Sequence, residues 1–331
     1  MSEIAKILRD YPADCQPTVV ESLGSAGGLS GAEFWRLVAP RGALGLRRWP
    51  IEHPTPERLA LIHAVLRHAA GRGIDFVPVP IGTTLGDTFV REEGQLWELA
   101  PWLPGAADYE EAPSVEKLRA AMISLARFHL AVADFPVTTR LAPAPAITQR
   151  LKRLRELQSG GISTLVAAID ESTWPQLAPL VRGLTAALPR AVPSAIAQLA
   201  PLADTPLPLQ FCIRDVWCDN FLFIGNTVTG LVDFGAVDVD TRATDVARLL
   251  GSLAGDSATQ FHDGLAAYSS VCELSDQELR AVHAIDVGGT TLAACNWLRW
   301  IYLDRRTFER SEQVQRRLCR IMTRMDAIGL R

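Results

Sequence analysis

Asp215, Asn220 and Asp233 stand out of the run FCIRDVWCDNFLFIGNTVTGLVDFGA, residues 211–236, which is otherwise apolar and strand-like. Buried carboxylates are costly unless they are paired or bind a cation. The oxygens of Asn and Asp are hard ligands that suit Mg2+, an ion that keeps waters and takes further oxygens from substrate phosphates. A third carboxylate nearby can accept the proton of a hydroxyl. PLQFCIRD reads as a short strand ending at Asp215, and DVWCDN as a tight loop ending at Asn220. NFLFIGNTVTGLVDFG reads as a hairpin turning at Gly225-Asn226, with Asp233 at the end of the return strand. A hairpin brings its ends together, so Asn220 falls beside Asp233 with Asp215 one short loop away. Any one of the three alone is a common turn residue. The joint spacing, Asp then Asn then Asp-Phe-Gly after a hairpin, points to a reaction centre.

The rest of the chain must position these groups. Residues 17–49 read as strands around the small-residue loop GSAGGLSG, and EFWRLVA alternates with the period of two that a strand requires. TPERLALIHAVLRHAAGRG is a helix, with Thr55 as N-cap, Pro56 at its first position and Gly71 or Gly73 at its end. DTFVREEGQLWELAP is a second hairpin, turning at Glu93-Gly94. Residues 1–103 thus read β-β-β-α-β-β. From about residue 114 the pattern turns helical, is interrupted by the β island at 208–236, and then returns to helix. The fold class is α+β, with a small antiparallel-sheet lobe (1–103) and a large, mainly helical lobe (104–331) that carries the island.

Composition narrows the function. The 331 residues suit two lobes or domains, and 48% hydrophobic with 21% charged residues is ordinary for a globular protein. A net charge of −4 gives no basic footprint for nucleic acid. No apolar run reaches the ~20 residues of a membrane span, and MSEIAKILRDYPADC has no signal-peptide core. The six cysteines are scattered without a CxxC pair. A cytoplasmic chain with reduced thiols, and no nucleic acid or membrane partner, is the expectation.

IRDVWCDN and VDFGA resemble the catalytic and metal-binding loops of the kinase-like phosphotransferases, in particular the aminoglycoside phosphotransferase (choline-kinase-like) family with its H-G-D-x-x-x-x-N and I-D-[FW] motifs. TRATDVARLL is similar to that family's G-x-x-x-x-D-L-A segment, and LARFHLAV to its L-A-x-L-H helix. No A-P-E activation segment is present, which sets the chain apart from protein kinases. The resemblance implies a bilobal protein-kinase-like fold. It implies that Asp215 is the catalytic base or hydroxyl-orienting residue, and that Asn220 and Asp233 hold Mg2+ against the nucleotide phosphates. The glycine-rich loop over those phosphates would run from Gly24 to Gly31, with Gly24, Ser25, Gly27, Gly28 and Ser30 as contacts. Arg47 stands where the family has a strand lysine on the α and β phosphates, and its fork suits phosphate. LWELAPWLPG resembles the hinge, where adenine would bond to backbone at Glu98, Leu99 and Ala100.

The chain departs from that pattern at two places. Ile213 replaces the motif's His, whose packing it can supply but whose polar contacts it cannot. The helix carboxylate that partners the strand cation has no clear counterpart, since Ile62 or His63 fills its place and the only carboxylate, Glu57, lies near the helix start; an unpaired Arg47 would stay charged but less fixed. Trp217 either shapes an acceptor pocket or plugs the loop against the helical core. His129 reads as a packed, hydrogen-bonded helix residue. The expected function is ATP- or GTP-dependent transfer of the γ-phosphate to a hydroxyl of a small molecule. The alternative is a nucleotide-binding pseudokinase without turnover.

Overall fold

The computed structural model describes residues 3–25, 31–308 and 311–329. In chain order the elements are α1 (Glu3–Leu8), β1 (Val19–Gly24), β2 (Glu33–Ala39), β3 (Gly42–Arg48), α2 (Pro56–Gly71), β4 (Val90–Glu92) and β5 (Gln95–Pro101). Then come α3 (Val115–Val132), β6 (Leu141–Pro143), α4 (Pro145–Glu156), α5 (Ile162–Ala167), α6 (Ala178–Leu199), β7 (Pro206–Pro208) and β8 (Gln210–Cys212). The island continues as β9 (Phe221–Ile224), β10 (Thr227–Leu231) and β11 (Asp238–Asp240), followed by α7 (Ala243–Leu253), α8 (Ala258–Ser269), α9 (Asp276–Leu298) and α10 (Ser311–Ala327). Among the described residues no helix is long and apolar enough to cross a membrane.

The contacts divide the chain into two compact units. The first comprises the described residues of Met1–Pro113 with Leu130–Phe135 and Asp219–Val237. Its five-stranded antiparallel sheet has the order β1-β2-β3-β5-β4. The alternation of β2 buries Leu37 and leaves Val38 exposed. Leu37, Leu44, Leu46, Trp97 and Leu99 form one core with Ile7, Leu8 and Tyr11 from the α1 segment. The Thr55 side chain accepts the Arg58 N–H at the start of α2, a cap that contributes about 1 kcal/mol. Glu93 and Gly94 both take positive φ between β4 and β5, as a two-residue hairpin turn requires. The hairpin β9–β10 belongs to this unit, with Thr227 opposite Ile224 across the Gly225-Asn226 turn.

The second unit comprises Ser114–His129, Pro136–Cys218 and the described residues of Asp238–Arg331. It is built around α9, whose Ala281, Val282, Ile285, Leu292 and Leu298 are buried and which packs on α4, α6, α7 and α10. Ser275 and Glu278 close a reciprocal capping box at its start. The strand before Asp215 is shorter than its sequence suggests. β8 stops at Cys212 and pairs antiparallel with β11, a strand the sequence pattern does not reveal.

Candidate active site

In the first unit, β3 carries Arg47 directly opposite Glu98 of β5. The Arg47 guanidinium lies 3.9 Å from a Glu98 carboxylate oxygen and 3.9 Å from Asp233 Oδ1. It stacks on Trp49, 3.4 Å from the ring centroid, with Phe34 at 5.0 Å. Arg47 is therefore paired, though not by a helix carboxylate. The partner comes from the neighbouring strand, because register places Glu98 across from Arg47, and α2 contributes His63 to the same carboxylate at 2.5 Å. Burial raises the Glu98 pKa, but the His63 hydrogen bond and the charges on His63 and Arg47 outweigh it and leave the carboxyl below its usual range. Burial lowers the Arg47 pKa, against the pull of Glu98 and Asp233.

Neither carboxylate is close enough to Arg47 for a direct hydrogen bond. Its Nε is buried without a partner, as is Nδ1 of His63. A fixed guanidinium with unspent donors is what a phosphate oxygen needs. Asp233 takes a left-handed φ of 65° and its side chain is 55% exposed. Gly235 lets this turn close on Trp49, since a Cβ there would stand 3.2 Å from the ring. The Asn220 carbonyl accepts the Val232 N–H at 2.9 Å, so the hairpin does bring its two ends together. Asn220 and Asp233 fit a divalent cation by the chemistry of their oxygen donors.

Gly24 ends β1 at a register shift with φ +58°, and Ser25 follows in the turn. Gly27, Gly28 and Ser30 lie outside the described residues. Glu98, Leu99 and Ala100 are ladder residues of β5, and the Leu99 carbonyl accepts the Ile81 N–H at 2.8 Å.

In the second unit, Asp215 is anchored through one oxygen. Oδ1 accepts the Trp217 indole N–H at 3.0 Å and pairs with Arg248 from α7. Among the described residues Oδ2 has no protein partner. The Trp217 ring is flanked by the Arg248 guanidinium at 4.3 Å and that of Arg317, from α10, at 5.0 Å. Trp217 thus both packs and donates.

The loop before Asp215 is tied down without a histidine at 213. Asp245, fully buried at the start of α7, accepts the backbone N–H of Ile213 at 2.6 Å and of Arg214 at 2.7 Å. These bonds draw the two N–H groups out of the strand ladder, and Arg214 takes φ 66°. That is why β8 ends early. Ile213 is itself fully buried and supplies the packing. His129 Nε2 donates to Asp245 at 3.0 Å, and Nδ1 accepts from the Tyr268 hydroxyl at 2.7 Å. His129 is the packed helix residue expected. With both ring nitrogens occupied, it acts as a tether.

The sequence pattern missed Glu98 as the Arg47 partner, Arg248 on Asp215 and Asp245 under the loop. Only Asp245 left a readable signal, as the acid of TRATDVARLL.

An antiparallel sheet leading into a mainly helical remainder, with Asp, Asn and Asp at these positions, is the protein-kinase-like architecture of the small-molecule phosphotransferases. Among solved structures, a spectinomycin phosphotransferase in complex with ADP and spectinomycin matches with a TM-score of 0.69 and 12% identity, over 99% of this chain and 98% of that one. An aminoglycoside phosphotransferase from Alicyclobacillus acidocaldarius matches with a TM-score of 0.65 and 16% identity, over 98% and 92%. At such identities the likeness establishes the fold. The model of the phosphotransferase enzyme family (APH) matches residues 24–285, and the chain belongs to that family.

Curated relatives include homoserine kinases. That of Afipia carboxidovorans is 29% identical over 230 residues, covering 66% of this chain and 61% of its own length. That of Rhodopseudomonas palustris is 27% identical over 250 residues, covering 76% and 68%. The chain spans about six tenths of the length of the Afipia and Methylobacterium nodulans enzymes.

Proposed function

We propose that this chain is a small-molecule kinase that moves the γ-phosphoryl group of ATP or GTP to a hydroxyl of its acceptor. The observation that carries the reading is Arg47, a stacked guanidinium with unspent donors, 3.9 Å from the exposed carboxylate of Asp233. Its environment asks for an anion, and the neighbouring carboxylate for a cation. A metal-bound nucleotide phosphate satisfies both.

In this reading Asn220 and Asp233 hold Mg2+, which when bound neutralises charge on the phosphates. The glycine-rich loop from Gly24 to Gly31, with Ser25, Gly27, Gly28 and Ser30, covers the phosphates, and Arg47 donates to them. His63 and Glu98 keep Arg47 from turning away. The adenine or guanine base bonds to the backbone near Glu98 to Ala100, where the Leu99 carbonyl is already taken by Ile81. Residues 1–103 serve the nucleotide, and residues 104–331 carry the catalytic and metal-binding loops. Asp215 receives the acceptor hydroxyl on Oδ2, while Trp217 and Arg248 fix the carboxylate through Oδ1. Catalysis of this kind is positioning and electrostatics. The names of the curated relatives make a hydroxyl-bearing amino acid the first acceptor to try.

The test measures thermal stabilisation by ATP and GTP with and without Mg2+, then acceptor-dependent ADP or GDP release. Magnesium-dependent binding together with turnover supports the proposal, and Asp215→Asn should then cut kcat by about 10²-fold or more. Turnover that survives Asp215→Asn unchanged removes its assignment. Binding without turnover on any alcohol indicates a pseudokinase, and absence of nucleotide binding overturns the reading.

A further inference from the structure

On the second unit, α4 carries Arg150 and Arg153, three residues apart and so on one helix face. Arg150 is partly buried, and its guanidinium makes one hydrogen bond, to its own helix at the Ala146 carbonyl, 3.0 Å away. Among the described residues no carboxylate pairs with it. Its surroundings make that unusual. Burial is the first cause pulling its pKa down, to about 10, and the positive charges of Arg248, Arg214 and Arg153 add to it against Asp240 alone. Arg214 spends its charge on Asp238 and Asp240, at 3.4 and 3.5 Å. Arg248 spends its charge on Asp215. Arg153 donates to the neutral Asn296 amide at 2.7 Å.

The location is defined by neighbours on several elements. The residue before Arg150, Gln149, accepts from Arg214, the residue before Asp215, at 3.3 Å. On the other side the Arg150 side chain runs along Gly289 of α9, where a Cβ would stand 3.9 Å from its Nε. A partly buried cation, set among other cations and paired with no carboxylate, is costly unless an anion arrives with the ligand. Arg248, one of these arginines, pairs with Asp215, which joins this group of cations to that carboxylate.

We propose that the acceptor is an acidic alcohol whose carboxylate is recognised by Arg150, supported by Arg153, while its hydroxyl is presented to Asp215. The inference rests on the small-molecule kinase reading and names the acceptor class of that site. A planar guanidinium takes a carboxylate through two parallel bonds, which fixes the distance from the acid to the hydroxyl. A polycationic acceptor is repelled by the same arginines.

The experiment is ligand-observed NMR binding to the full chain, with homoserine, serine and glycerate, each against its own amide, and with kanamycin. At least one acid should bind 10-fold or more tightly than its amide, and kanamycin should not compete with it. Arg150→Gln should abolish the acid preference, and Arg150→Lys, which keeps the charge, should retain part of it, with melting curves confirming that both variants fold. No acid bound more tightly than its amide overturns the proposal, and so does a preference that survives Arg150→Gln. Failure of the kinase reading would show separately, as loss of magnesium-dependent nucleotide binding in the same preparation.

Discussion

Replacing Asp245 by Asn tests how the loop before Asp215 is held. In the native chain Oδ2 accepts from Ile213 N at 2.6 Å and His129 Nε2 at 3.0 Å, and Oδ1 accepts from Arg214 N at 2.7 Å. An amide has one acceptor oxygen. The orientation that keeps the most bonds places that oxygen toward Ile213 and His129, and turns the NH2 toward the Arg214 N–H. One hydrogen bond to a charged group is lost, at about 1.5–3 kcal/mol, and a donor faces a donor. The opening free energy at Arg214 should therefore fall by about 3 kcal/mol, roughly a 10²-fold rise in its amide exchange rate. Ile213 should change less, and α9 amides should not change. Hydrogen exchange followed by NMR or mass spectrometry resolves these positions. Arg214 exchange within about 3-fold of the native rate would refute the argument that Asp245 holds the loop.

Two further substitutions read the site by other routes. The Glu98 carboxyl is held below its usual range, so its stabilisation is present above the unfolded value near 4.5 and disappears as pH falls through the lower folded value. The melting temperature of the native chain should then drop more steeply than that of Glu98→Gln between about pH 5 and 3, and parallel curves would show that His63 and Arg47 do not favour the ionised form. Trp217→Phe keeps a ring under Arg248 and Arg317 but removes the 3.0 Å N–H donor to Asp215. It should lower kcat by about 2- to 10-fold with nucleotide KM unchanged, whereas a tryptophan that only fills space would leave kcat as it was.

The division between what was legible and what was not follows from range. Local chemistry was readable. Thr55-Pro56 opens α2, Glu93-Gly94 and Gly225-Asn226 turn their hairpins, and the alternation in β2 buries Leu37. The approach of Asn220 to the end of the return strand was legible for the same reason, because the two flank one hairpin. Pairing across long separations was not. Glu98 lies opposite Arg47 only because β5 inserts beside β3 in that register. Looking for a helix carboxylate hid the sheet one and His63 alike. β11 has three residues, too few for a period, and exists because β8 needs a partner. The end of β8 was misplaced because two backbone donors leave the ladder for a side chain 32 and 31 residues on.

The tether under the loop before Asp215 also bears on how such chains are found. Since the polar contact of residue 213 goes through its backbone N–H to Asp245, the identity of the side chain at 213 is set by packing. A search pattern that demands histidine two residues before Asp215 filters on a position that packing can fill and passes over this chain. A pattern anchored instead on the aspartate pair 215 and 245, with the Asn and Asp-Phe-Gly between them, encodes the constraint the fold imposes.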